Sequence, residues 1–414
     1  MLGPYRDLLA TPGGLRLSAS AFVARLPIAM VGLGIVLLVV AETGSYGRAG
    51  AFSATFALVN ACSAPAVARL IDRFGQRRVL LPSVPVHAVA LLAFAWLVAH
   101  GGPTWAQVGT VIVAALLAPS IGALVRARWG YVLGDDPRLH TAYALESVLD
   151  ELIFVLGPLV VTVLATDVAP GAGLVAAVVL VLGGTAALLS HTTTEAPVVR
   201  HLEAHPNALR SRGLPALMLV MVFTGGVFGA VELSAVAFAD HAGHRSLAGA
   251  LLACYAGGSM VSGLVFGAIR GDLAPRRSLA VGLAVMTVTA TVLPAVSSLA
   301  LLAPLLFVAG LGIAPSLISG FTLVERTVPA RAVTEGLTWL TTALVVGFSG
   351  STWLAGRLVD SAGVGWAFAV GAISAAVALV VVAASYRMLD GTGELSTFDA
   401  TGRARLPGGD AGSA

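Results

Sequence analysis

The sequence predicts an all-α integral membrane protein with twelve transmembrane helices in two six-helix halves. Of its 414 residues, 57% are hydrophobic and 11% are charged, with a mean hydropathy of +0.92, whereas about a quarter of a soluble protein is charged. A spanning helix needs roughly 20 apolar residues, so this length accommodates about twelve spans joined by short loops. The longest polar stretch before the tail, 191–213, falls near the middle of the chain.

The first predicted half, residues 1–190, is a short polar lead followed by six apolar runs. The first run is too long for a signal-peptide core and has no clear small-residue cleavage site, so we predict a retained first helix. The run lengths fit slightly tilted spans. We predict helices over 18–42, 48–71, 79–99, 104–126, 142–166 and 171–190.

A predicted cytoplasmic linker, 191–213, leads into the second half, residues 214–387. The tail, residues 388–414, is rich in Gly, Asp, Thr and Arg, and we predict that it is disordered and cytoplasmic. Cys62 and Cys254 each lie in an apolar run, so we predict two small buried side chains rather than a disulfide. The six helices of this half are predicted over 214–239, 246–269, 278–297, 300–324, 332–356 and 364–387.

The arginines test this topology, because cytoplasmic loops of membrane proteins are enriched in positive charge. With the helices counted as above, only Arg48, Arg245 and Arg357 fall in the loops of one side. Every other loop arginine falls on the side of the two termini, so both termini are predicted to be cytoplasmic. The chain contains no lysine, so any proton-carrying group is expected to be a carboxylate or a histidine.

One short charged segment, Ala68–Arg78, separates predicted helices 2 and 3, and we call it the island. It holds four arginines together with Asp72 and Gly75. Gly75 permits the sharp turn that such a short loop requires. The arginines favour the cytoplasmic face.

The island resembles the loop between helices 2 and 3 of the major facilitator superfamily, whose pattern is Gly-x-x-x-Asp-Arg/Lys-x-Gly-Arg/Lys-Arg/Lys. Ala68 stands where that family prefers glycine, and Gln76 replaces one basic residue. The resemblance implies two six-helix halves related by a parallel repeat. It also implies that Asp72 meets the N-terminus of helix 11 when the carrier is open outward, and that breaking this contact permits the halves to rock. The matching switch residues are Asp72, Arg73, Gly75 and Arg77, with Arg78 just beyond.

A few charges fall inside the predicted spans, where a charged side chain costs about 2.5–3.5 kcal/mol on insertion scales. Glu146 and Asp150 are four residues apart and share one helical face. Two carboxylates in a low dielectric repel, so one tends to hold a proton. Arg25 lies at a similar depth, and we predict that it pairs with Glu146 or Asp150. The alternative is a purely structural cluster near the cytoplasmic surface.

Three further positions complete the candidate set. Glu151 follows Asp150 directly, and Glu232 lies in the outer half of predicted helix 7 without a partner in sequence. An unpaired carboxylate at that depth faces a wet cavity or holds its proton. Gly157-Pro158 resembles the Gly-Pro of the superfamily's antiporter motif, although the further glycines of that motif are missing, and Pro158 predicts a bend in helix 5.

These features predict a secondary active transporter that exports a small molecule by proton antiport and alternating access. The chain resembles bacterial drug and sugar efflux permeases. The alternatives are a proton-coupled nutrient symporter and a membrane sensor that transports nothing.

We predict a monomer in the bacterial cell membrane, with a small-molecule substrate, protons and membrane lipid as partners. No enzyme motif, cofactor, metal site or nucleic-acid surface is predicted. The proton or substrate pathway is assigned to Arg25, Glu146, Asp150, Glu151 and Glu232.

Overall fold

The structure, a computed structural model, describes residues 3–134, 136–191, 194–195, 208–211, 213–268, 274–329, 332–386 and 388. Every regular element in these ranges is helical. Within the described ranges, eleven helices are long and apolar enough to cross a membrane. Val333–Ala362 is 30 residues long but is less apolar because it is rich in Thr, Ser and Gly. Counting it, the predicted fold class of twelve spanning helices is confirmed.

The first six spanning helices follow a short N-terminal helix, Gly3–Leu9. They are α1 (Gly14–Thr43), α2 (Tyr46–Phe74), α3 (Gln76–Ala99), α4 (Thr104–Leu133), α5 (Arg138–Asp167) and α6 (Ala172–Ser190). The second six are α7 (Leu214–His241), α8 (Ala248–Ala268), α9 (Pro275–Val292), α10 (Leu299–Thr327), α11 (Val333–Ala362) and α12 (Val364–Ser385). Apart from Met388, the tail predicted to be disordered lies outside the described residues.

Three spanning helices are interrupted within the membrane. A 3-10 turn, Leu26–Ala29, divides α1 directly after Arg25. Four non-helical residues that include Pro119 divide α4, and α10 breaks between Gly310 and Ile313. Pro27 and Pro119 lack the N–H that a continuous helix needs. Irregular backbone at membrane depth is tolerated where it is enclosed in protein or lines a water-filled cavity.

The structure corrects two sequence expectations, one about the end of the fourth helix and one about the burial of Cys62. The fourth helix runs to Leu133 rather than ending at residue 126, so Arg126 and Arg128 are helical rather than in a loop. Arg128 is fully buried. Gln76 Oε1 accepts from its Nε at 2.8 Å and the His191 carbonyl from its Nη1 at 2.9 Å, while its Nη2 has no partner among the described residues. The prediction that Cys62 is buried is also wrong, since its side chain is exposed on α2.

Helices α2 and α3 are separated by a single residue, so the island is shorter as a loop than its sequence indicates. The second helix ends at Phe74 and α3 begins at Gln76. Between them Gly75 has a φ of 90°, a conformation that favours glycine over every other residue. Asp72 and Arg73 therefore belong to the last turn of α2, while Arg77 and Arg78 open α3.

The two halves contact each other through α2 with α11 and through α5 with α8. Small residues allow this approach: a Cβ at Gly50 would lie 2.6 Å from the Thr352 carbonyl oxygen, and Gly356 contacts the Tyr46 backbone. Four hydrogen bonds join the halves within the described ranges, and all four involve residues 45–47 at the start of α2. We call this the closed end of the bundle, and the opposite end, which carries the island, the island end.

Burial along the contacting helices follows the same division. In α2 the buried residues concentrate between Tyr46 and Ala54, and only Val67 and Ile71 are buried further along. In α8 the buried hydrophobic residues lie between Ala248 and Tyr255, whereas Leu264 and Val265 are exposed. Both helices are therefore enclosed at the closed end and uncovered toward the island end.

Candidate functional site

The centre of the candidate site is Arg25, which ends the first segment of α1 and is fully buried. Its Nη2 bonds Glu146 Oε2, and its Nη1 donates to Asp150 Oδ1 at 2.8 Å. The third donor, Nε, reaches the Ala21 carbonyl at 3.2 Å. The predicted pairing is confirmed, and Arg25 binds both of the carboxylates offered as alternatives.

Glu146 is held from several directions at once. Its Oε1 accepts hydrogen bonds from Ser18 Oγ at 2.8 Å and from Trp129 Nε1 at 2.9 Å. The carboxylate is fully buried, which is tolerable for a charge only when it is paired and hydrogen-bonded. Sequence reasoning missed Trp129, because a helix ending at residue 126 would have left that side chain in a loop.

Asp150 connects this buried pair to the water-accessible surface. Its Oδ2 accepts from Arg126 Nη2 at 2.6 Å, and its side chain is 31% exposed. Arg126, Asp150, Arg25 and Glu146 form a continuous chain of alternating charges, which we call the Arg25 network. Two guanidinium groups balance two carboxylates, so the network is neutral when every member is ionised. Protonation of Asp150 would leave it with an excess positive charge.

Two predicted site carboxylates lie outside the network. Glu151 is partly exposed beside Asp150, and Glu232 is partly exposed on α7. Neither makes a hydrogen bond or an ion pair with another residue of the described ranges. The structure therefore brings Arg25, Glu146 and Asp150 together, with Glu151 adjacent, and leaves Glu232 separate in the second half.

Gly157 and Pro158 lie where α5 contacts its neighbours in both halves. A Cβ at Gly157 would lie 2.6 Å from the Ala29 Cβ in the 3-10 turn of α1, and the Pro158 carbonyl contacts Gly249 of α8. The fifth helix is continuous through Pro158, so the bend expected there stays a prediction. Gly157 therefore contacts the 3-10 turn that follows Arg25 in α1, and the adjacent Pro158 contacts the other half of the protein.

In the island, the residues that open α3 make hydrogen bonds to other segments, whereas Asp72 at the end of α2 makes none to a described residue. Gln76 holds Arg128, and the Arg77 N–H donates to Glu195 Oε1 at 3.4 Å. Arg73 lies over the Phe74 ring at 5.2 Å. Asp72 is exposed and makes no hydrogen bond or ion pair within the described part of the chain. Asp72 therefore does not make the contact that the family resemblance implies with any described residue of helix 11 in this conformation.

The closed end carries a polar cluster that sequence reasoning did not single out. Asp360, in the last turn of α11, accepts the N–H groups of Tyr46 and Gly47, each at 2.8 Å. Tyr46 Oη also donates to Asp240 Oδ2 at 2.6 Å, and Arg245 pairs with Asp240 at 2.7 Å. Tyr46 thus binds the ends of both α7 and α11. We call Tyr46, Asp240, Arg245 and Asp360 the closed-end lock.

A bundle of twelve spanning helices in two halves, joined at one end and bearing a charge network inside, defines a polytopic membrane protein of the transporter type. The family model described as Major Facilitator Superfamily matches residues 17–269. The chain belongs to the Major Facilitator Superfamily, and it is a membrane transporter. No curated protein matches the sequence.

Solved structures of similar fold come from several transporters. The nucleoside transporter NupG is 15% identical with a TM-score of 0.67, covering 91% of this chain and 98% of that one. The POT family transporter PepTSo is 11% identical with a TM-score of 0.70, covering 91% and 98%. The human organic anion transporter MFSD10 (TETRAN) is 15% identical with a TM-score of 0.59, covering 89% and 99%. At these identities the likeness extends to the fold alone.

Proposed function

We propose that this protein is a secondary active transporter that exchanges a small molecule for protons by alternating access, exporting the small molecule. The observation that carries the proposal is the asymmetry between the two ends of α2. At the closed end its first residues bind Asp240 and Asp360 of the other half, while at the island end Asp72 has no partner among the described residues. The halves are therefore joined at the closed end, and we infer that the island end is open to substrate.

Alternating access requires that each end closes when the other opens. The closed-end lock involves a few hydrogen bonds and one ion pair, which is a small enough set to break in a single conformational step. In the opposite conformation, Asp72 takes the place at the N-terminus of α11 that the family resemblance implies. Each contact would then place an aspartate from one half at a helix N-terminus of the other half, where partial positive charge favours a carboxylate.

Proton coupling is assigned to the Arg25 network and the carboxylate beside it. Asp150 is the only network carboxylate that reaches water, and it accepts from both Arg25 and Arg126. Adding a proton to Asp150 weakens both ion pairs and leaves Arg25 bound to Glu146 alone. Because Arg25 directly precedes the 3-10 turn that Gly157 contacts, such a change reaches the interface between α1 and α5.

The direction of transport and the membrane orientation belong to the proposal. We place both termini and the island in the cytoplasm of a bacterial cell, because the loop arginines concentrate there. With this orientation, the open end of the bundle faces the cytoplasm in this conformation. We propose a monomer with halves 1–190 and 214–387, the linker 191–213 and the tail 388–414. The alternative is proton-driven uptake of a nutrient, which uses the same fold but moves the proton and the substrate in the same direction.

Reconstitution tests the proposal directly. The purified full-length chain is placed in liposomes that enclose a pH-sensitive dye, and amphipathic drugs, sugars, peptides and nucleosides are added in turn. We expect substrate-dependent proton movement in the wild type that is lost in Asp150→Asn. Asp167→Asn is the matched control, because Asp167 lies exposed at the end of α5 and, among the described residues, accepts a side-chain hydrogen bond only from the neighbouring Thr166. Substrate flux without proton movement would overturn the coupling, and proton movement in the same direction as substrate would establish the symport alternative.

A further inference from the structure

The carboxylates inside the two halves differ in whether a described arginine pairs with them. In the first half, Glu146 and Asp150 are neutralised by Arg25 and Arg126. In the second half, Glu232 lies within α7, nine residues before its end at His241, without a hydrogen bond or ion pair to any described residue. An ionisable side chain inside a span is costly and normally pairs with another group. No residue that the structure describes serves as the partner of Glu232, so we consider a bound ligand in that role.

A second polar group without a partner lies close by. The Tyr255 hydroxyl on α8 is buried and has no hydrogen-bond partner within the described ranges, and the residue is 8% exposed. The Tyr255 ring lies against Phe228, which precedes Glu232 on α7 by one helical turn. Buried hydroxyl groups in proteins nearly always have a partner, so each exception calls for an explanation.

The aromatic neighbour of this pair supplies an apolar surface. Phe228 precedes Glu232 by one helical turn on the same face of α7, and its ring meets the Tyr255 ring edge-on, with centroids 6.4 Å apart. Val231 and Leu233 on either side of Glu232 are buried, whereas Glu232 itself is partly exposed. Buried residues run along most of α7 on both sides of Glu232, so we place the exposed part of Glu232 in the interior of the bundle.

We propose that Glu232, Tyr255 and Phe228 form a binding site for a protonated organic amine with an apolar body. An ammonium group offers several N–H donors and a positive charge, so it can bond the Glu232 carboxylate and the Tyr255 oxygen together. The Phe228 and Tyr255 rings take the apolar body and favour a nearby cation. The inference rests on the proposed transport function, since it names the substrate class of that transporter.

Other ligand classes fit these groups less well. An anion would be repelled by Glu232, and a neutral molecule would leave the carboxylate without a counter-charge. A hard divalent cation requires six or more oxygen ligands in the case of calcium, and among the residues that the structure describes, no group of three or more His, Cys, Asp or Glu side chains is placed to hold a metal ion. A proton alone would neutralise Glu232, but it would supply no hydrogen-bond partner to the Tyr255 hydroxyl.

The test compares two probes of the same shape, 2-(2-naphthyl)ethylamine and 2-(2-naphthyl)ethanol, by isothermal titration calorimetry on the purified full-length chain. Since hydrogen bonds to charged groups contribute more than neutral ones, we expect the wild type to bind the amine about tenfold or more tightly than the alcohol. Glu232→Gln should bring the two affinities together, and Tyr255→Phe should weaken the amine by a smaller factor. Glu232→Asp keeps the charge and should preserve the preference. Glu42→Gln is the control, because it removes an exposed carboxylate at the end of α1.

Two results would overturn the site: equal binding of amine and alcohol by the wild type, or an unchanged amine preference in a folded Glu232→Gln variant. Thermal unfolding of each variant reports whether it is folded. Liposome flux separates this inference from the transport proposal. Amine preference that depends on Glu232 without any amine flux supports the site and contradicts the proposed export of the bound compound. Proton-coupled flux of neutral compounds with no role for Glu232 supports the transporter and contradicts the site.

Discussion

Asp360 of α11 caps the N-terminus of α2 across the boundary between the two halves, with the Tyr46 N–H donating to its Oδ1 at 2.8 Å. A helix N-terminus leaves four N–H groups without partners, and the residue before the helix normally accepts one of them. Here Ser45 Oγ accepts from the Arg48 N–H at 3.2 Å, and Asp360 supplies further acceptors from the other half. The start of α2 is fully capped only while the halves are together, so helix stability and closure are coupled.

Asp360→Ala is expected to open the closed end. Loss of an N-cap acceptor costs about 1 kcal/mol, which corresponds to about a fivefold shift in population. Spin labels at Val168 and Trp366, both exposed near this end, would report the distance between halves by double electron–electron resonance in a background without Cys62 and Cys254. Asp167→Ala, at the same end but bonded only within α5, should leave the distance distribution unchanged. A distribution for Asp360→Ala equal to the wild type would contradict the capping role.

Gly50→Ala is expected to separate α2 from α11 at the closed end. A Cβ there would lie 2.6 Å from the Thr352 carbonyl oxygen, and backbone atoms cannot yield without moving the helix. Gly350→Ala on α11 is the matched control, because a Cβ at that position meets nothing within 4 Å. Both changes favour a helix by about 1 kcal/mol, so only the contact distinguishes them. The same pair of spin labels should show a longer distance for Gly50→Ala and the wild-type distance for Gly350→Ala.

The fold and part of the site followed from sequence, because both depend on local patterns. Apolar runs of spanning length gave the helices, and the depth of Arg25 matched that of Glu146 and Asp150. The lock between Tyr46 and Asp360 joins residues more than three hundred positions apart, and no periodicity connects them. Sequence reasoning makes the fourth helix too short because Arg126 and Arg128 suggest a loop, whereas in the structure Gln76 and the Leu188 carbonyl at the end of α6 accept from the Nε and Nη1 groups of the buried Arg128.

Removing Arg25 is expected to destabilise the protein more than removing Arg25 and the Glu146 charge together. Arg25→Met leaves the fully buried Glu146 carboxylate without its counter-charge, which costs about 3–5 kcal/mol when one partner of a buried pair is lost. In the double variant Arg25→Met/Glu146→Gln, the amide remains near Ser18 and Trp129, which donate to this side chain in the wild type. Thermal unfolding in detergent should therefore show partial recovery of the midpoint in the double variant. A midpoint lower than that of Arg25→Met alone would show that Glu146 is stabilised independently of Arg25.

Asp72→Ala is expected to shift the conformational equilibrium in the direction opposite to Asp360→Ala. Asp72 is exposed and has no hydrogen bond or ion pair with the described residues in this conformation, so its removal costs nothing while the closed end is sealed. In the opposite conformation the variant loses the proposed contact with the N-terminus of α11, which removes a favourable carboxylate–helix interaction of about 0.3–1 kcal/mol. The population with the closed end sealed should therefore rise, and the Val168–Trp366 distance distribution should narrow toward its shorter component. Because the two aspartates lie at opposite ends of the bundle, their effects should be additive in the double variant. A shift of Asp72→Ala toward the longer distance would mean that Asp72 does not stabilise the opposite state, and the two-ended exchange of contacts would have to be abandoned.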